Sequence, residues 1–346
     1  MSEFRKDPIS DHWVIIAPNR ALRPEQLEPG AGQRVPSRCP FCRGHEEDTP
    51  AAVAAYDSSG RLTGDGPWQV RVVPNKYPAV SGADGACWSD QDFYETGPGT
   101  GVHEVIIEAP DHIIRFNGLA ADQAGLVFRA YRDRLRDLKS NPGLAYAQIF
   151  KNCGAAAGAS LEHAHSQLIA TSVVPTQIQS ELARSRAYFE RHASCVFCDM
   201  LHRELLTSQR IVAESESLVA FCPFASQFPY ETWILPREHN GCFEELGNGE
   251  AGELASLAQD IVGRIEFALS DPAFNYLIHT SPFHLGPSNH YHWHLEIFPR
   301  LTKTAGFEWG AGDYINTVSP EDAAATLRSA RGPFGGTPRK STEARD

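Results

Sequence analysis

His163, His165 and Gln167, spaced two apart, close a segment that begins Lys151-Asn152-Cys153-Gly154-Ala155-Ala156-Ala157-Gly158-Ala159-Ser160. On a strand, positions i, i+2 and i+4 share a face, so the two imidazoles and the amide project together while Ala164 and Ser166 face away. The small residues at 154–160 let main-chain N–H groups approach an anion with few side chains in the way. An imidazole beside such a loop can displace a nucleotide's leaving phosphate and carry the nucleotidyl group as a phosphoramidate, splitting one difficult transfer into two easier steps. His165, central in the triplet, is the candidate nucleophile. A buried strand whose histidines bond backbone carbonyls would explain an isolated His-x-His. The glycine-rich lead-in and the cysteine pairs elsewhere in the chain argue against that alternative.

Four of the eight cysteines form two Cys-x-x-Cys pairs, Cys39/Cys42 and Cys195/Cys198. Nothing at the N-terminus resembles an export signal, so metal binding is expected and disulfides are not. Tetrahedral zinc commonly takes two thiolates from such a turn plus two imidazoles. Cys39, Cys42, His112 and His163 supply that set once, and Cys195, Cys198, His239 and His292 supply it again, with His290 the alternative to His292. Two zinc ions per chain are therefore expected. A closed four-ligand shell leaves no position for water, so each ion would pin a histidine strand and orient its neighbour. Metal-free, reduced Cys-x-x-Cys turns are the other possibility.

The elements that position these groups repeat along the chain. After each cysteine pair comes a strand-like run, Glu104–Glu108 or Glu231–Leu235, then a lone histidine, a helical pattern and a paired histidine. The lone and paired histidines lie 51 residues apart in the first half (112 to 163) and 53 in the second (239 to 292). Apolar residues at helical spacing fill each gap: Leu126, Val127, Ala130, Tyr131 and Leu135, then Leu254, Leu257, Ile261, Ile265 and Leu269. An internal duplication follows. The halves are expected at 1–175 and 176–331, with a helical connector over 177–209 and a disordered tail at 332–346.

The net charge of −12 over 346 residues gives no electrostatic footprint for nucleic acid or an anionic membrane. No apolar run approaches the roughly 18 residues of a membrane helix, and with the charged segment 1–11 this points to a cytoplasmic protein.

Taken together, these residues resemble the galactose-1-phosphate uridylyltransferase family of the histidine-triad superfamily. The similarity covers nearly the whole chain. Its further elements are the run Asp11 to Pro24, Cys39-Pro40-Phe41-Cys42, the run Val73 to Ala79, and Gly306-Phe307-Glu308. The resemblance implies an α+β fold of two tandem histidine-triad-like halves, with antiparallel sheets flanked by helices, assembled as a homodimer. It implies that His165 is uridylylated by UDP-glucose and passes UMP to galactose 1-phosphate in a ping-pong cycle. Asn152, Ser160 and Gln167 would then hold the nucleotide's phosphates, Arg20 and Arg23 the sugar phosphate, Phe41, Asn75 and Lys76 the nucleoside, and Glu308 the sugar hydroxyls. His294 stands where the nucleophile would in the second half, without a glycine-rich loop before it.

The chain departs from the family at Ala164, where His-Pro-His is usual, at Phe307, where Gly-Tyr-Glu is usual, at Lys76, where some members carry an acidic residue, and in 310–316, which lacks an expected glutamine. A related branch, the ADP-glucose phosphorylases, would use the same histidine to pass an adenylyl group from ADP-glucose to inorganic phosphate. A non-enzymatic alternative is a zinc-stabilised binding module, which the acidic balance opposes if its partner is nucleic acid.

Overall fold

The computed structural model describes residues 3–6, 13–16, 38–64, 66–82, 89–91, 93–301, 306–311, 314 and 316–330. In chain order its strands and helices are β1 (Glu3–Lys6), β2 (Trp13–Ile16), β3 (Ala54–Tyr56), β4 (Val70–Pro74), β5 (Ser89–Gln91), β6 (Tyr94–Pro98), β7 (Gly101–Ile107), α1 (Ala121–Lys139), β8 (Tyr146–Cys153), β9 (His165–Thr171), α2 (Thr176–His192), α3 (Val196–Thr207), β10 (Ile211–Glu214), β11 (Leu218–Phe221), β12 (Thr232–Pro236), α4 (Asn248–Leu269), β13 (Phe274–His279), β14 (His294–Pro299), α5 (Gly306–Ala311) and α6 (Pro320–Ser329). This is the expected α+β class. Both gap helices form, α4 starting six residues before Leu254, the first residue of its apolar pattern, and the connector is the pair α2 and α3.

Ten strands make one antiparallel sheet in the order β10-β11-β12-β14-β13-β8-β9-β7-β4-β3; β2-β1-β6-β5 form a separate small sheet. Read outward from the central β8/β13 pair, the order is β8-β9-β7-β4-β3 on one side and β13-β14-β12-β11-β10 on the other. The same connectivity occurs twice, as the spacing of the motifs predicts.

Period-two alternation sorts the sheet residues onto two faces. Ile106, Ile149, Leu168, Ala170, Ile234, Ile278, Leu295 and Ile297 are buried in one large core with α1 and α4. The helices approach closely where neither has a side chain: a Cβ on Gly125 would lie 3.4 Å from the Gly252 Cα. On the opposite face Cys39 and Phe41 pack with Val105 and Ile107, and Cys195 and Phe197 pack with Leu235 and Tyr291. Each cysteine turn thus lies over the sheet face that carries its half's paired histidine.

Candidate active site and metal centres

His165 opens β9 and Gln167 follows on the same face, both buried. The His165 Nδ1 lies 2.7 Å from the His163 carbonyl oxygen. Since the carbonyl can only accept, Nδ1 carries the proton and Nε2 is the basic, nucleophilic nitrogen. Phe41, from the Cys-Pro-Phe-Cys turn, meets the His165 ring edge-on, with centroids 5.3 Å apart. His165 also lines a cavity of about 380 Å³ together with Phe41, Asn75, Lys76, Ser160 and Gln167.

Two glycines turn the loop between β8 and β9. Gly154 and Gly158 both have φ of +85°, where a side chain is strained, and a Cβ on Gly154 would come within 2.8 Å of the Ala273 Cβ. Ser160 faces the first cavity, whereas Asn152 lines its neighbour, of about 610 Å³, with Ala156, Ala157 and Gly158. The phosphate-holding candidates are therefore split between two adjoining cavities that share this loop.

Two positioning residues are absent from the sequence reading. His103, on β7, accepts at Nδ1 from the Ala79 N–H, so its Nε2 carries a proton and donates to the Gln167 Oε1 at 3.0 Å. That fixes the Gln167 amide with its NH₂ on the side away from His103. Asn275, on β13, donates to the Asn152 Oδ1 at 2.8 Å and to the Ala157 carbonyl at 2.9 Å. It is the second half's hold on the first half's loop. Neither residue belongs to a recognisable local motif; only strand pairing brings each to its target.

Cys39, Cys42, His112 and His163 converge with their ligand atoms within 4.8 Å of one another, and so do Cys195, Cys198, His239 and His292. Sulfur to Nδ1 distances are 3.5–3.6 Å in the first set and 3.3–3.6 Å in the second. A tetrahedral zinc with thiolate and imidazole bonds of about 2.0–2.3 Å has ligand–ligand edges of roughly 3.3–3.8 Å. In His163 and His239 the Nε2 donates to a carbonyl, of Ala109 at 2.9 Å and Ser288 at 2.8 Å, which leaves Nδ1 with the lone pair that faces the thiols. Burial first, with nearby histidine charges, pushes the His163 pKa down to about 4, keeping the ring neutral as a ligand must be. Burial and the neighbouring Cys39 push the Cys42 thiol up to about 12, a proton that a divalent cation would displace. Both donor sets fit zinc. His290 stays outside the second set; its Nδ1 is 3.0 Å from the Ser288 hydroxyl.

A third convergence joins Glu181, His279 and His294. Glu181 lies on α2, and His279 pairs directly with His294 across β13 and β14. His294 is fully buried, stacked on Trp233 at 4.8 Å and tilted over Phe197 at 5.3 Å.

Arg20 and Arg23 lie outside the described residues, as do Cys87 and the segment 332–346. Glu308 falls within α5, and its side chain lies outside what is described. Cys153, Cys222 and Cys242 are free thiols.

Residues 1–175 match the family described as galactose-1-phosphate uridyl transferase, N-terminal domain, and residues 101–330 match a domain of unknown function. An ADP-glucose phosphorylase of Arabidopsis thaliana is 37% identical over 337 residues, covering 94% of this chain and 92% of that protein. A galactose-1-phosphate uridylyltransferase of Thermotoga maritima is 29% identical over 340 residues, covering 95% of this chain and 98% of its own length. The crystal structure of an Arabidopsis ADP-glucose phosphorylase with bound ADP-glucose superimposes with a TM-score of 0.73 at 34% identity, covering 95% of this chain and 99% of that one.

Proposed function

Because this chain belongs to the galactose-1-phosphate uridylyltransferase family, we propose that it moves UMP from UDP-glucose to galactose 1-phosphate through a covalent nucleotidyl-histidine at His165. The observation that carries this reading is the Nδ1–H bond from His165 to the His163 carbonyl, which aims the basic Nε2 from a strand lining a nucleotide-sized cavity. In the first step Nε2 bonds to the α-phosphorus and the bond from that phosphorus to the hexose 1-phosphate oxygen breaks. In the second, an oxygen of the incoming hexose 1-phosphate attacks the same phosphorus and the imidazole leaves.

Charge grows on phosphate oxygens in both steps, so fixed donors supply much of the rate. Gln167, oriented by His103, and Ser160 face the nucleotide side. Asn152, oriented by Asn275, faces the adjoining cavity on the hexose-phosphate side, where Arg20, Arg23 and Glu308 would add contacts. Phe41, Asn75 and Lys76 line the nucleoside side. The two Cys₂His₂ sets would each hold a structural zinc; the first supplies a rigid His163 whose carbonyl grips His165. A homodimer in the cytoplasm, with halves at 1–175 and 176–331, completes the reading. Its support is the family match, and no helix among the described residues is long and apolar enough to cross a membrane.

A second reading has its own support. The Arabidopsis ADP-glucose phosphorylase is more similar to this chain than the Thermotoga uridylyltransferase, at 37% against 29% identity. Intact mass after incubation with UDP-glucose or ADP-glucose decides between them. A uridylyl adduct that galactose 1-phosphate discharges is the expected result. An adenylyl adduct that inorganic phosphate discharges establishes the second reading, and no adduct from either donor refutes both.

A further inference from the structure

Beneath the site, on the helix side of the sheet, lies a charge pair that the catalytic scheme does not use. The Lys151 ammonium is 2.7 Å from the Glu108 Oε2 and donates to the His165 main-chain carbonyl at 3.0 Å. Lys151 is 1% exposed and Glu108 is fully buried. The Tyr131 hydroxyl sits 3.2 Å from the other Glu108 oxygen, 2.7 Å from the Ser166 Oγ and 2.5 Å from the Tyr276 hydroxyl. Two consecutive residues of the nucleophile strand, His165 and Ser166, are thus gripped from below by one polar cluster.

Strand register shows why a grip is needed there. β8 stays paired with β13 through Cys153, yet its registered pairing with β9 ends at Phe150 and Gln167. On its other edge β9 remains paired with β7 through His165. The strands beside the nucleophile therefore part, which makes room for the phosphate loop and removes ladder support from one side of His165. In the second half β13 and β14 stay paired through His279 and His294, so no gap opens.

Matching Phe150/Gln167 to Leu277/Glu296 puts Ile278 where Lys151 is. Matching Val105/Gln167 to Trp233/Glu296 likewise puts Pro236 where Glu108 is. The frame is therefore built without the ion pair in its other copy, and a buried pair is commonly no more stabilising than apolar residues of similar size.

We infer that Lys151, anchored by Glu108, is a positioning residue that holds the His165 main chain across the gap where β8 and β9 separate. This rests on the reading of His165 as the nucleophile. Displacing a reacting group by about 1 Å can cost roughly 100-fold in rate. The test is the double variant Lys151→Met/Glu108→Leu, which removes both charges together and leaves neither one buried alone. With its fold, two metal equivalents and nucleotide-sugar affinity retained, its single-turnover rate of adduct formation should fall about 10- to 100-fold. A folded double variant that forms the adduct at the wild-type rate overturns the inference. So does one that loses nucleotide-sugar affinity as steeply as rate, because the pair would then serve the fold in general. Failure of the wild-type protein to form any adduct condemns the reading of His165 itself, and is recorded separately in the same experiment.

Discussion

His165 and His294 occupy matching places in two copies of one frame, yet His165 lines a cavity and His294 is fully buried. Each sits two residues after a histidine of a Cys₂His₂ set, each directs Nδ1 at that histidine's carbonyl, at 2.7 and 3.1 Å, and each meets the phenylalanine of its cysteine turn at 5.3 Å. Around His165 the strands part, two glycines bend the loop away, and space remains for a ligand. Around His294 the strands stay zipped, and Trp233, His279 and Glu296 fill the volume. An oriented imidazole comes from the frame; one within reach of a ligand also needs the frame locally opened.

The sharpest way to break that comparison is to remove each histidine in turn. His165→Gly should abolish the adduct and lower turnover by on the order of 10⁴-fold or more, as loss of a nucleophile does. His294→Gly should leave adduct formation within a few-fold of wild type and act on stability, since it empties a packed site. Intact mass and initial rates read both; comparable losses of adduct would mean that the halves do not differ as described.

The next largest effects separate the metal sets. Cys39→Ser and Cys195→Ser should each remove one zinc equivalent by elemental analysis. The first should also slow adduct formation by about 10- to 100-fold, because His163 then no longer holds His165 rigidly. The second should lower Tm while leaving the rate per folded molecule nearly unchanged. Two variants with the same rate loss would assign both ions the same role.

Much of this was legible in the sequence because it is written in local spacing. Two Cys-x-x-Cys turns, each followed by a lone and then a paired histidine at nearly equal intervals, pointed to the duplication and to both Cys/His clusters, the second of which contains His292 and not His290. His103, Asn275, Lys151 and Glu108 were not legible, since each reaches its partner across the sheet and register has no local signature. Nor did the triplet reveal that Asn152 would face a different cavity from Ser160; that depends on how two left-handed glycines carry the loop.

Asn275 tests how far the second half serves the first. Asn275→Ala removes two hydrogen bonds, to the Asn152 side chain and to the Ala157 carbonyl, and frees the Asn152 amide to rotate. A loss of about 1–1.5 kcal/mol, roughly 5- to 13-fold, is expected in kcat/KM for the hexose phosphate, with adduct formation less affected. Equal losses in both half-reactions would show that Asn152 does not distinguish them.

The smallest effect concerns the buried cluster of Glu181, His279 and His294. Glu181 is pushed up by burial but pulled further down, to about 2, by His279, His294 and the Tyr291 hydroxyl. Burial lowers the His279 pKa, and Glu296 and Glu181 more than offset this, raising it above the ordinary 6.5. The depressed carboxylate adds stability that is present above its unfolded value of 4.5 and fades as pH falls toward 2. The raised imidazole adds stability that is full below 6.5 and fades as pH climbs through its native value. Their contributions overlap between 4.5 and 6.5. Glu181→Gln should therefore cost most in that window, on the order of 1 kcal/mol after solvent screening, and progressively less toward either extreme. Thermal melts of wild type and variant across pH would show the difference in Tm peaking there; a difference that is flat with pH would mean that Glu181 contributes packing alone and no ion pair with His279.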